Sequence, residues 1–134
     1  MPFGQAEIDK IINEIDAKFM AAMEAGDVEK CLEFYHEHAT VILHGHKEVA
    51  YGKEAIKTVL EKSFEGGPTT YKCTKIKNSG TGDGEFLISK GLVECHVSDM
   101  EEPFKVWGLV VYKRETDGSY KIYREENDFE KPID

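Results

Sequence analysis

The chain is poor in cysteine, and the spacing of those it has argues against the sites that cysteines usually build. Its 3 cysteines, Cys31, Cys73 and Cys95, are odd in number and include no Cys-x-x-Cys pair. A disulfide framework needs paired cysteines and a structural zinc site needs closely spaced ligands, so neither is expected. Unpaired thiols are typical of a reducing compartment, which predicts a cytoplasmic protein.

Long apolar runs and an excess of positive charge are also missing. No stretch approaches the roughly 20 apolar residues that span a bilayer, and charged residues interrupt residues 1–15. We therefore expect neither a membrane span nor a secretory signal. The 26 acidic and 17 basic residues give a formal net charge of −9. Because nucleic acids and anionic membrane surfaces attract lysine and arginine, neither is an expected partner.

Helical periodicity dominates the first half of the sequence. Apolar residues at steps of three and four over residues 8–23 predict an amphipathic helix that ends at Ala25-Gly26. Asp27 predicts the N-cap of a short second helix whose apolar face extends to Tyr35. Residues 55–64 predict a third helix, which the Gly66-Gly67-Pro68 sequence ends.

Strand patterns follow the helices. Residues 39–43 are apolar and β-branched and predict a short strand, and four long strands are predicted over residues 69–77, 85–97, 104–114 and 119–129. Consecutive strands with short connections pair antiparallel as a meander, and the three helices then cover one face of the sheet. The sequence therefore predicts one α+β domain over residues 1–134.

Short motifs in this order resemble the nuclear transport factor 2-like superfamily. They are Ala25-Gly26-Asp27, Phe34-Tyr35, Ala39-Thr40-Val41, Tyr51-Gly52-Lys53-Glu54-Ala55-Ile56, and Asp117-Gly118 before the last strand. The resemblance implies a cystatin-like cone, in which three N-terminal helices pack on a strongly bent, mostly antiparallel sheet. The superfamily includes steroid Δ-isomerases, polyketide cyclases, scytalone dehydratase and the association domain of calmodulin-dependent kinase II, so the fold does not define an activity.

The resemblance also implies which positions carry the chemistry of a steroid isomerase. The family's oxyanion-binding tyrosine, aspartate base and protonated acid correspond to Phe19, Leu43 and Val110 here. Enolisation of a ketone needs a base and an oxyanion donor, and apolar side chains supply neither. We therefore expect no steroid isomerase activity, and we expect these three residues to line an apolar ligand pocket.

Five histidines are candidates for polar chemistry. His44 follows the short strand and is the predicted pocket acid or base, by loose analogy with dehydratases of the superfamily. His44 and His46 share a face if the chain stays extended, and His96 could then complete a three-histidine metal site. Since nothing in the sequence brings His96 near His44, we predict no metal. His36 and His38 are expected at the carboxyl end of the second helix.

The last strand holds the best carboxylate candidate. Alternation puts Tyr123, Glu125, Asn127 and Phe129 on one face, which the resemblance places toward the cavity. A buried glutamate is costly unless it is paired or used, so Glu125 is the predicted catalytic carboxylate and Tyr123 and Asn127 are predicted ligand contacts. A frayed, solvated strand end is the alternative. Tyr51 and Glu94 are further candidates for the pocket or its rim.

Trp107, Leu109 and Val111 alternate with Val110 on the fourth predicted strand of the five. If Val110 faces the pocket, these three residues form an apolar patch on the outer sheet face, which predicts a homodimer interface. In the opposite register Trp107 would be a wall of the pocket.

Two functional hypotheses follow. The first is a dimeric module that holds a small hydrophobic molecule in an apolar pocket, or that serves only in assembly. The alternative is an isomerase, dehydratase or cyclase that uses His44 with Glu125 or Glu94 as an acid–base pair. No cofactor is expected in either case.

Overall fold

A computed structural model describes residues 4–133 of the chain. Residues 1–3 and residue 134 lie outside the described residues. All four belong to the predicted domain, and residues 1–3 also belong to the segment that is predicted to carry no secretory signal.

Three helices form at the predicted places. They are α1 (Gln5–Glu24), α2 (Val28–Leu32) and α3 (Gly52–Phe64). Gly26 follows α1 with a φ of 65°, a conformation that suits glycine at a helix end. The Asp27 carboxylate accepts a hydrogen bond from the Lys30 backbone N–H at 3.1 Å, which confirms Asp27 as the N-cap of α2. No helix within residues 4–133 combines the length and apolar character needed to cross a membrane.

Six strands form one mixed sheet. They are β1 (Tyr35–His44), β2 (Glu48–Tyr51), β3 (Thr69–Gly80), β4 (Phe86–Val97), β5 (Phe104–Arg114) and β6 (Tyr120–Asp128), and their spatial order is β2-β1-β6-β5-β4-β3. Strands β3 to β6 form the predicted antiparallel meander. The predicted α+β class and the pairing of the long strands are confirmed.

The segment after α2 differs from the prediction. The helix ends at Leu32, and Tyr35 begins a ten-residue strand instead of continuing the helical face. The reason is the pairing with β6: the Ile122 N–H donates to the Phe34 carbonyl at 2.7 Å, and Tyr35 stands opposite Ile122 in a parallel register. His36 and His38 therefore lie on a strand and not at a helix end.

Strand β2 was not predicted because its four residues are too few to show a period of two. It pairs antiparallel with the end of β1, and Gly45 (φ 87°) and Lys47 (φ 52°) turn the chain between them. This turn ends the extended geometry at His44.

The sheet has two chemically different faces. The inner face is covered by α1 and α3, and its core comprises Ile8, Ile12, Phe19, Tyr35, Val41, Ile56, Leu60, Leu87, Tyr112 and Ile122. The outer face carries the alternate side chains, including Trp107, Leu109 and Val111, and no element within residues 4–133 covers it. The inner face therefore supplies most of the hydrophobic stabilisation.

The degree of burial predicts different costs for the same substitution at two isoleucines. Ile12 is fully buried on α1, so Ile12→Ala removes core contacts and should lower the free energy of unfolding by about 3 kcal/mol. Ile76 on β3 is 61% exposed, so Ile76→Ala should cost less than about 1 kcal/mol. Urea unfolding of both variants checks this. Equal costs would contradict the assignment of Ile12 to the core.

Candidate functional site

An apolar cavity of about 360 Å³ lies between the helices and the inner face of the sheet. Its apolar walls include Phe19, Met20, Met23, Val41, Leu43, Ile56, Val59, Leu60, Val93, Val97, Phe104, Val106 and Phe129. A larger groove of about 910 Å³ runs between α1, α2 and the turn before β6, but it is the more open of the two. The inner cavity, called the inner pocket below, is the candidate site because it encloses a carboxylate among apolar side chains.

Glu125 forms the polar end of the inner pocket. The Tyr35 hydroxyl donates to Glu125 Oε1 at 2.6 Å, and Asn127 Nδ2 donates to Oε2 at 2.7 Å. Among residues 4–133 no cation lies within salt-bridge distance of this carboxylate. Burial, followed by the charge and hydrogen bond of Glu125, raises the pKa of Tyr35 well above its ordinary value. The phenol therefore stays protonated and remains a donor to the carboxylate.

Three residues at the isomerase positions lie on the pocket side of the sheet. Phe19 lines the inner pocket, and its ring meets the Tyr35 ring edge-on at a centroid distance of 5.9 Å. Leu43 also lines the pocket and pairs with Asn127 in register. Val110 pairs with Glu125 and packs against the core, but it is not one of the residues that line the inner pocket, contrary to the expectation. Apolar side chains near Glu125 thus occupy the three positions that correspond to the polar catalytic residues of steroid isomerases.

Tyr123 is not in the inner pocket, because β6 is not strictly alternating. The register with β5 shifts between Ile122 and Arg124, so a bulge turns Tyr123 to the same side as Arg124. There the Tyr123 ring contacts His36 at 5.2 Å and Phe86 at 6.2 Å between centroids. The bulge corrects the predicted pocket position of Tyr123, while Glu125 and Asn127 keep the predicted side.

Tyr51 and Glu94 also lie on the outer face. Tyr51 stands opposite Thr40 and is 64% exposed, with its hydroxyl 3.2 Å from His38 Nδ1. Glu94 alternates with the buried Cys95, and its carboxylate lies 2.9 Å from His96 Nε2. Neither residue contributes to the pocket or its rim, since each strand presents its other side to the helices.

His44 is separated from the inner pocket by the sheet itself. Its Nε2 donates to Glu126 Oε1 at 2.8 Å, and Glu126 Oε2 accepts from Arg124 Nε at 3.0 Å. Although burial alone would raise it, the hydrogen bonds from His44 and Arg124 lower the pKa of Glu126. Glu125 points the other way, so the predicted pairing of His44 with Glu125 or Glu94 is wrong in its geometry.

The three histidines considered for a metal site are dispersed. The turn at Gly45 brings His46 against Phe129, with ring centroids 4.9 Å apart, and away from His44. His96 is on β4, and β6 and β5 lie between it and β1. Within residues 4–133 no group of three histidine, cysteine or acidic side chains is arranged to hold a metal ion.

The outer face carries an apolar centre with charges on both flanks. Trp107, Leu109 and Val111 project from β5 on the side opposite the pocket residues Phe104 and Val106. Three rows cross the sheet from β6 to β4: Asp128, Trp107 and Leu92; Glu126, Leu109 and Lys90; and Arg124, Val111 and Ile88. Lys77 of β3 stands directly opposite Lys90. On the β6 flank the end with Asp128 and Glu126 is therefore acidic and the Arg124 end is basic, whereas Lys77 and Lys90 make the β3 flank basic.

Sequence reasoning missed two of the partners that define these sites. Tyr35 was assigned to a helix, so its role as the donor to Glu125 was not anticipated. Glu126 was not among the predicted site residues, although its position two residues after Arg124 on a strand was a usable signal for an ion pair on the outer face.

Comparison with known proteins places the chain among proteins of the same architecture. The family model described as a SnoaL-like domain matches residues 17–125. No curated protein is similar enough in sequence to count as a relative.

Three solved structures illustrate the similarity in fold. A ketosteroid isomerase-like protein from Erwinia carotovora atroseptica SCRI1043 is 15% identical with a TM-score of 0.78, covering 96% of this chain and 100% of that one. A protein with a cystatin-like fold from Nostoc punctiforme PCC 73102 is 12% identical with a TM-score of 0.75, covering 96% and 94%. A putative calcium/calmodulin-dependent protein kinase type II association domain from Thiobacillus denitrificans ATCC 25259 is 16% identical with a TM-score of 0.75, covering 91% and 94%. At these identities the likeness shows the fold alone.

The Glu126 ion pair predicts a loss of stability in acid. The pKa of Glu126 is lower in the folded chain than its ordinary value of 4.5, so its stabilisation is complete above that pH and is lost as the pH falls through the folded value. The difference in unfolding free energy between the wild type and Glu126→Gln should therefore shrink on acidification. Urea unfolding across that range measures it. Glu101→Gln, at an exposed position, is the control, and a difference independent of pH would contradict the ion pair.

Proposed function

The chain belongs to the SnoaL-like domain family, and we propose that it binds a small, largely apolar molecule in the inner pocket. The family match confirms the resemblance to the nuclear transport factor 2-like superfamily. The family includes small-molecule cyclases and isomerases as well as ligand-binding proteins. The fold alone does not choose between these roles, so the proposal depends on the chemistry of the pocket.

The proposal rests on the Glu125 carboxylate, which two hydrogen bonds hold in place inside the inner pocket. A carboxylate among apolar walls costs free energy unless hydrogen bonds compensate it. Tyr35 and Asn127 supply one hydrogen bond to each oxygen, which leaves lone pairs free for a ligand donor. A hydroxyl or phenol at one end of an apolar ligand would complete this set. The cavity of about 360 Å³ accommodates a small ligand and not a large one.

The second candidate function is proton transfer on the bound molecule, with Glu125 as the acid or base. A general base must lie within hydrogen-bond reach of the proton that it takes, and Glu125 is the carboxylate that the pocket residues enclose. Tyr35 and Asn127 would then orient the carboxylate. In this candidate function Glu125 acts without His44, because the sheet separates the two residues that were predicted to act as a pair. Because Phe19, Leu43 and Val110 are apolar, steroid isomerisation is still not expected.

We also propose that the outer face joins two copies of the chain. Trp107, Leu109 and Val111 are partly exposed in the single chain, and an apolar sheet face of this kind favours association. A two-fold axis that runs parallel to β5 near Leu109 would place Glu126 of each copy over Lys90 of the other. The charges would then favour one orientation of the pair over others.

The compartment is a separate proposal. Cys31, Cys73 and Cys95 are free, which supports a reducing environment and hence the cytoplasm.

Glu125→Gln should weaken the binding of a small phenol by at least about tenfold, because a charge-assisted hydrogen bond contributes more than about 1.4 kcal/mol in an apolar site. Native mass spectrometry and calorimetry with a panel of small phenols and cyclic ketones measure the affinity. Glu126→Gln is the matched control, since it makes the same change on the adjacent residue of the opposite face.

Equal affinity in the wild type and Glu125→Gln would contradict the role of Glu125, and binding of no panel member would contradict the proposed ligand class. If a bound ketone is also turned over, loss of turnover in Glu125→Gln assigns the proton transfer to this carboxylate. Persistence of turnover would reject the second candidate function while leaving binding intact.

Trp107→Arg should yield monomers in light scattering, because a buried arginine without a partner destabilises an apolar interface. Met100→Arg is the control, since Met100 is 52% exposed in the turn between β4 and β5, away from the outer face. A dimer that persists in Trp107→Arg would place the interface elsewhere, and a monomeric wild type would reject the dimer altogether.

A further inference from the structure

A second group of polar side chains lies between α1 and the sheet, outside the polar end of the inner pocket. The Tyr112 hydroxyl donates to Asp16 Oδ1 at 2.9 Å, and the Lys75 ammonium contacts Asp16 Oδ2. Tyr112 is 1% exposed, and the side chains of Asp16 and Lys75 are 16% and 28% exposed. One amine, one carboxylate and one phenol thus meet in a largely buried position that the proposed ligand site does not use.

Lys75 faces the interior because of its register in β3. It stands opposite Gly91 of β4, which has no side chain to fill the inner face at that point. The register of β3 shifts between Lys75 and Lys77. Lys77 therefore stands opposite Lys90 on the outer face, and it is exposed. Two lysines separated by one residue therefore have contrasting environments on the same strand.

The environment of Lys75 favours a neutral amine more than that of an ordinary lysine. Burial lowers the pKa of Lys75 to about 8. The Asp16 carboxylate acts in the opposite direction on the ammonium, but it is also a proton acceptor in direct contact with it. In a site of low polarity, transfer of the proton from the amine to the carboxylate removes two buried charges at once.

The Lys75 side chain is partly open to solvent, with 28% of its surface exposed. A cavity of about 260 Å³, open to solvent, lies over Lys75 and is lined by Asn13, Asp16, Met20, Tyr71 and Cys73. Burial raises the pKa of Tyr71 to about 12 and raises the pKa of Cys73, so both stay neutral and leave Asp16 as the acid–base group beside the amine. Met20 and Tyr71 also line the inner pocket, and the two cavities therefore share a wall.

We propose that Lys75 is a reactive amine that captures small aldehydes as an imine, with Asp16 moving the protons. The neutral Lys75 nitrogen forms a bond to the carbonyl carbon as the C=O π bond opens, and Asp16 passes one proton from the nitrogen to the oxygen to give a carbinolamine. Asp16 then takes the second proton from the nitrogen and gives it to the hydroxyl group, and the C–O bond breaks to release water as the C=N bond forms. The products are one imine and one water, so no oxidant, reductant or metal takes part. Tyr112 holds the Asp16 carboxylate toward the amine.

The test compares two lysines of the unmodified protein. The chain is treated with propionaldehyde and cyanoborohydride at a pH of about 8, and the modified peptides are quantified by mass spectrometry over time. Lys75 should be modified at least about tenfold faster than Lys77, because a larger fraction of its amine is neutral. Modification of Lys75 at the rate of Lys77 or slower would indicate that Lys75 only forms a salt bridge with Asp16, and it would overturn the proposal.

Asp16→Asn separates proton transfer from simple accessibility. Loss of the carboxylate should slow imine formation at Lys75 severalfold but leave its acylation by acetic anhydride as fast as before or faster, because acylation needs only a free amine. A parallel fall in both rates, or no change in the aldehyde rate, would contradict the role of Asp16. Thermal unfolding of the variant confirms that it is folded. The comparison of Lys75 with Lys77 in the wild type stands whether or not the variant folds.

Discussion

The pairing of β6 between β1 and β5 determines where every polar side chain of the candidate site lies. On one edge β6 runs parallel to β1, and on the other it runs antiparallel to β5. The bulge at Tyr123 resets the alternation in the middle of the strand. After it, Glu125 and Asn127 face the helices while Glu126 and Asp128 face outward. A register shifted by one residue would expose the pocket carboxylate and bury the ion pair, so the two faces are specified together.

The two faces of the sheet consequently carry carboxylates in different environments, with only the sheet between them. The inner pocket holds one carboxylate with hydrogen bonds from neutral donors and no cation among the described residues. The outer face holds the Glu126 carboxylate, which pairs with both His44 and Arg124, beside an apolar centre. Both hydrogen bonds to Glu125 come from neutral donors, whereas hydrogen bonds from His44 and Arg124 lower the pKa of Glu126. Recognition of a small molecule and association with a second chain can therefore involve different residues of the same strands.

The sequence was sufficient for most of the fold because its signals are local. Helical periodicity, the Asp27 cap and the glycine stops are read within a few residues, and the bounds of β5 agree with those predicted. It was insufficient where the structure of a segment depends on pairing with a strand that is distant in sequence. The strand begins at Tyr35 because Ile122 of β6 pairs with that residue, and the bulge at Tyr123 is not visible in the alternation. The resemblance placed Glu125 and Asn127 on the pocket side correctly, whereas the positions of Tyr35, Tyr51, Glu94 and the partner of His44 were not predicted correctly. Their positions depend on register across strands, which a single sequence does not display.

The strand order also constrains how the chain can fold during synthesis. Strand β1 is made early, yet its parallel neighbour β6 is the last strand to be made. Until β6 leaves the ribosome, one edge of β1 and the apolar faces of α1 and α3 have no complete sheet to pack on. Contacts between such distant segments close large loops and are formed late, so this topology predicts slow folding relative to helical proteins of the same size. The last strand thus completes the pocket and the fold in one event, and a nascent chain that stops before β6 has neither.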